Sequence, residues 1–141
     1  MMGRKPLGWA LAALVLAAAS PAISRGSSDG IYTPAQADQG ARVYAMKCAM
    51  CHGAALEGTV ETPGLVGKFV ANWAGRPVGN LFSYLGRAMP QNAPGSLTPE
   101  ENAQVIAFIL RANGAPEGNR LLPADGAALE RLSLDAVQPA I

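Results

Sequence analysis

The 141-residue chain has two cysteines, one histidine and only eight aromatic side chains. Two cysteines allow at most one disulfide, and a single imidazole excludes any site built on paired histidines. The aromatic share is low, and alanine together with the first two dozen residues inflates the 50% hydrophobic content, so the core is expected to be small. Alternating apolar and polar runs of strand length are missing, and no internal repeat is evident, which excludes sheet and solenoid architectures. No basic run occurs that would mark a nucleic-acid or anionic-membrane partner. The length excludes a second large core. A domain this small often relies on a staple such as a disulfide, a metal or a cofactor, because it buries little apolar surface against its chain entropy.

What is present begins with an export segment. Arg4 and Lys5 precede the apolar run Leu7 to Ala19, followed by small residues, Pro21 and Ser24. That run is shorter than the ~20 residues needed to span a bilayer as a helix, so residues 1–24 read as a cleaved signal peptide rather than an anchor. From Arg25 onward nine basic residues face ten acidic ones, a net charge of −1. Residues 25–32 read as a flexible linker. Thr33-Pro34 with Gln36 resembles a capping box opening a helix to about Met46, with Ala35, Gly40, Val43, Tyr44 and Met46 on its packed face. Thr98-Pro99 with Glu101 opens another. Its stripe is Val105, Phe108, Ile109 and Ala112, with Ile106 and Leu110 beside it, and Asn113-Gly114 stops it. Val78, Leu81, Phe82 and Leu85 predict a third helix to Arg87, and Lys68 to Trp73 a short turn of helix. Residues 119–141 read as a C-terminal surface extension with a helical turn near Ala127 to Leu132.

Cys48-Ala49-Met50-Cys51-His52 carries the chemistry. In C-x-x-C-H, two cysteines three apart on a helical turn can form thioethers to the two vinyl groups on one edge of a haem, and the next residue directs its imidazole at the iron. Cys48 and Cys51 are therefore the candidate attachment residues for one covalent haem c, with His52 as an iron ligand. A dithiol redox pair shares the C-x-x-C spacing but belongs with a βαβ pattern, which is not visible. A structural zinc would lack its fourth ligand. The sixth iron position separates a closed electron relay from an open site for gases or peroxide. Met46 and Met50 lie too near the cysteines in sequence to reach the other haem face. Met89, between a predicted helix and Pro90, is the candidate, against the plainer reading of a core-filling methionine.

These features resemble those of class I cytochrome c over about residues 33–118. The resemblance rests on Gly40 and Tyr44, the C-x-x-C-H motif, Pro63-Gly64-Leu65, Met89-Pro90 and Phe108. It implies an all-α fold in which N- and C-terminal helices cross over a haem pocket with long loops. It also implies that Gly40 lets those helices meet beside Phe108, and that the Pro63 carbonyl accepts the Nδ1–H of His52. Residues 89–97 and 113–114 are similar to cytochromes serving bacterial quinoprotein dehydrogenases. By that similarity Trp73 and Arg76 would lie near haem propionates.

The implied function is a periplasmic or secreted electron carrier, not an enzyme in itself, with His52 and Met89 on the iron. Its expected partners are redox proteins such as a quinoprotein dehydrogenase or a terminal oxidase, with no nucleic acid and no membrane insertion after signal cleavage. A fixed subunit of a dehydrogenase or oxidase complex, and a haem enzyme or sensor with an open sixth site, are the alternatives.

Overall fold

Two helix starts with the same Thr-Pro chemistry frame the structure, a computed structural model that describes residues 30–134. The signal peptide and most of the 25–32 linker lie outside the described residues. Helix α1 spans Pro34–Lys47 and α5 spans Pro99–Ala112. Between them lie α2 (Ala49–His52), α3 (Lys68–Trp73) and α4 (Val78–Ala88), and α6 (Gly126–Leu129) follows. Among the described residues no strand forms, and one isolated antiparallel bridge joins Pro77 to Ser133. The fold is all-α, as expected.

At α5 the capping box is complete: the Thr98 hydroxyl accepts from the Glu101 N–H at 3.1 Å, and the Glu101 carboxylate accepts from the Thr98 N–H at 3.0 Å. At α1 only half of it forms. Thr33 accepts from the Gln36 N–H at 3.2 Å, but the Gln36 side chain turns inward and binds both backbone groups of Leu122, at 2.9 and 2.8 Å. A buried amide left unpaired is costly, and the returning backbone offers it a donor and an acceptor together.

Helices α1 and α5 cross where Gly40 faces the Gln104 carbonyl, so closely that a Cβ would overlap it. The Tyr44 and Phe108 rings pack beside the crossing, their centroids 5.2 Å apart. Gln104 donates to Gln39 at 2.9 Å, and Arg111 pairs with Asp38 at 2.6 Å along the same seam. The packed faces differ from the sequence expectation at their edges. Gln36, Ala37, Gly40, Val43 and Tyr44 are buried in α1, whereas Ala35 is exposed and Met46 is 74% exposed. In α5 Val105, Ile106, Ile109 and Leu110 are buried, Phe108 is half-buried and Ala112 is exposed. Crossing on Gly40 sets the rotation of both helices, and that rotation excludes those three side chains.

The described part of the tail after α5 is anchored in the core by three leucines. Leu122, Leu129 and Leu134 are each no more than 1% exposed, and full burial of such a side chain stabilises by roughly 1.5–3 kcal/mol. Backbone bonds from Val78 to Leu132 (2.8 Å) and from Leu134 to Arg76 (3.2 Å) tie it to the start of α4. At the N-terminal end of the described residues, one residue of the expected linker is held. Tyr32 is fully buried, its hydroxyl donates to the Ala115 carbonyl at 2.6 Å, and its own carbonyl accepts from the Gly118 N–H at 2.7 Å.

Candidate haem site

The C-x-x-C-H motif sits where α1 gives way to the short α2. The Cys48 N–H still bonds the Tyr44 carbonyl (2.8 Å), while the N–H groups of Cys51 and His52 both turn back to the Cys48 carbonyl, at 3.1 and 3.0 Å. This one-turn geometry places Cys48, Cys51 and His52 on the wall of a single cavity of about 360 Å³. Met89 reaches the same cavity from the C-terminal end of α4, where its N–H makes the last bond of the helix, to Leu85 at 3.0 Å. Pro90 then forbids another helical turn. Leu65, Phe69, Leu85, Leu97, Val105 and Ile109 give the cavity an apolar lining. Cys48, Cys51 and His52 around α2 and Met89 at the end of α4 thus face one space.

The loop after the motif folds back on it. The Gly58 N–H donates to the His52 carbonyl at 2.7 Å, and His52 Nδ1 lies 2.8 Å from the Pro63 carbonyl. A carbonyl only accepts, so this bond requires the proton on Nδ1 and leaves Nε2 as a free lone-pair donor. The Tyr44 hydroxyl donates to the Gly53 carbonyl at 2.6 Å and secures the turn out of the motif. Lys47, on the cavity rim, pairs with Glu101 at 3.0 Å, linking the end of α1 to the start of α5.

The chemistry of the donor set discriminates among the readings of C-x-x-C-H. Burial pushes the Cys48 thiol up to about 11, with Cys51 adding to the rise and Lys47 opposing it. A dithiol redox pair needs the opposite, a thiolate stabilised near neutral pH. Among the described residues no three His, Cys, Asp or Glu side chains converge on one point as a tetrahedral zinc site would require. Two thiols, an imidazole with Nε2 free and a thioether around an apolar space fit a haem c.

Trp73 and Arg76 are not brought to the cavity. Trp73 packs with tilted rings against Phe69 and Tyr84, with centroids 6.3 and 5.7 Å apart, and the Arg76 guanidinium lies 5.8 Å from the Trp73 ring. Phe69 and Tyr84 stand between Trp73 and the cavity, as lining residues themselves. Asn113, read from sequence only as a helix stop, holds the loop from the far side. Its Nδ2 donates to the Leu65 carbonyl at 2.9 Å and its Oδ1 accepts from the Gly67 N–H at 2.8 Å. An Asn-Gly pair after a helix signals a cap, and nothing local signals a loop 48 residues away.

The sequence profile of the family described as cytochrome c oxidase, cbb3-type, subunit III, matches residues 35–109. The chain belongs to this family of c-type cytochromes. The cytochrome carries covalently bound haem c with its iron and is an electron carrier. No curated protein matches it. Among solved structures, a chain of the sulfane dehydrogenase SoxCD from Paracoccus pantotrophus is similar at 24% identity, with a TM-score of 0.52 over 74% of this cytochrome. The match spans 60% of the SoxCD chain, and at that identity it speaks for the fold. Among the described residues no helix is long and apolar enough to cross a membrane.

Proposed function

We propose that this cytochrome is a periplasmic one-electron carrier whose haem is attached through Cys48 and Cys51, with His52 and Met89 as the iron ligands. The supporting observation is the gathering of two thiols, one imidazole and one thioether on the wall of one apolar cavity. Bound there, haem c supplies an iron that takes up and gives back a single electron. The chain's own residues orient and shield. Pro63 holds the His52 ring in the tautomer that leaves Nε2 for the metal, and the bond makes the imidazole a stronger donor. The Met89 thioether favours the ferrous state, and the apolar lining disfavours the extra charge of the ferric one. With His52 and Met89 both holding the iron, the site would relay electrons and would leave no open position for small substrates.

A pyridine haemochrome spectrum tests attachment: a thioether-linked haem is expected, and its loss in Cys48→Ala/Cys51→Ala assigns the two positions. A spectrum without thioether-linked haem overturns the reading. An open sixth site predicts ready carbon monoxide binding by the wild-type ferrous protein, where the closed site predicts none.

A fixed subunit of a larger complex is the second reading. It is favoured by the name of the matching family, an oxidase subunit, and by that of the similar structure, a dehydrogenase. The partner would then be a dehydrogenase, quinoprotein or other, or a terminal oxidase. Size-exclusion chromatography of native extract separates the two: co-elution with an oxidoreductase at high salt is the subunit's signature, and elution at monomer size the free carrier's.

A further inference from the structure

We infer that Asn113 is a positioning residue for His52, acting through the 53–67 loop; this rests on the reading of His52 as the iron ligand. The end of α5 does not need the Asn113 side chain. Gly114, at φ +79°, takes the left-handed turn, and the N–H groups of Gly114 and Ala115 close the helix on Arg111 and Leu110 at 2.9 and 3.0 Å. The Asn113 amide also donates to Ile109 at 2.7 Å, but that carbonyl already accepts the Asn113 backbone N–H at 3.1 Å. The remaining bonds, to the Leu65 carbonyl and from the Gly67 N–H, grip the loop at two points.

That grip is transmitted. The Leu65 N–H bonds the Leu56 carbonyl at 2.8 Å, so both backbone groups of Leu65 are engaged, one by the loop and one by α5. Pro63 lies two residues upstream and has no N–H with which to anchor itself. Its carbonyl orientation is therefore set by its neighbours. Gly58 packs so tightly on the Thr62 to Gly64 backbone that a Cβ there would overlap it, so the two sides of the loop shift together. A displacement at Leu65 must reach the Pro63 carbonyl and, with it, the bond to His52 Nδ1. Asn113 thus connects the rigid α1–α5 crossing to the tautomer and orientation of the imidazole.

The test is hydrogen exchange by NMR on the ferrous holoprotein, comparing wild type with Asn113→Ala and Asn113→Asp. In Asn113→Ala the His52 Nδ1–H should exchange roughly tenfold faster, the scale of losing about one net hydrogen bond. Amides of α1 and α5 should stay within about twofold of wild type, because the crossing is untouched. Asn113→Asp keeps an acceptor for the Gly67 N–H and loses the donor to Leu65, so an intermediate rate is expected. It carries the same comparison if the alanine variant does not retain haem. An unchanged Nδ1–H rate, or equal acceleration of all amides, overturns the positioning role. Absence of an iron-ligated His52 ring in the wild-type spectrum would instead remove the ligand reading on which it rests.

Discussion

At the level of single residues, Met89 carries the largest functional consequence of the proposal. Met89→Ala should abolish the near-infrared band expected of a methionine-ligated ferric haem, open the ferrous iron to carbon monoxide and lower the reduction potential, since a thioether ligand favours the ferrous state. Visible and near-infrared spectra with potentiometric titration check all three, and an unchanged band would show that another group ligates the iron. Tyr32 makes a separate prediction about stability. Burial pushes its hydroxyl up to about 12, Glu117 adds to the rise and Arg111 opposes it. A raised folded pKa on an acid means that folding favours the neutral phenol. Its contribution is complete below the ordinary tyrosine value of 10.0 and is lost as pH rises from there towards about 12. Alkaline denaturation of Tyr32→Phe should lack that part of the loss, and the variant should be less stable near neutral pH by about 1 kcal/mol for the bond to Ala115.

For the helices, the decisive contact is the α1–α5 crossing. Gly40→Val would drive a branched side chain into the Gln104 backbone, and a cost of about 2–3 kcal/mol is expected, read as a lowered denaturant midpoint in the holoprotein. The start of α5 sets the acid limit. The Thr98 N–H and then Lys47 hold the Glu101 carboxyl below the usual glutamate range. A depressed carboxyl stabilises the fold above the unfolded value and stops doing so as pH falls through the folded one. Glu101→Gln should therefore flatten the acid limb of the stability profile, with the difference shrinking at high salt because the Lys47 pair is partly solvated. Both helix starts were legible in the sequence because Thr-Pro caps act over three residues. The packed faces were legible only in part. Ala35, Met46 and Ala112 fit the helical spacing but lie outside the contact, since spacing gives a stripe and not the angle at which a partner helix meets it.

Across the whole molecule, near-neutrality governs encounters. From Arg25 onward the formal charge is −1, and on the cavity rim Lys47 is already paired with Glu101. Met50, inside the motif, is 82% exposed and lines the same cavity. Electrostatic steering is then weak, and the second-order rate of electron exchange with a redox partner should change by less than roughly threefold from low salt to physiological ionic strength. Stopped-flow mixing over a salt series measures this. A steep fall with salt would point to charge patches that the overall balance conceals.

Chemistry that acts over a few residues was readable from the order of the side chains alone: the caps, the helix spans, the spacing of Cys48, Cys51 and His52, and the helix-ending Met89-Pro90. Those interactions close within a turn or two of chain, so their partners are already adjacent in the sequence. Features that emerge only on packing have partners far away. Leu122 of the tail is buried where it meets Gln36 across 86 residues, and Trp73 with Arg76 stands outside the cavity, behind Phe69 and Tyr84 of its wall. The four candidate haem residues share one space because the end of α4 brings Met89 to the cavity that the turn at α2 lines, and Asn113 joins the end of α5 to the loop bearing Pro63. Pairing over such distances is selected by burial and by the demand that buried polar groups find partners, and neither is visible until the chain has packed.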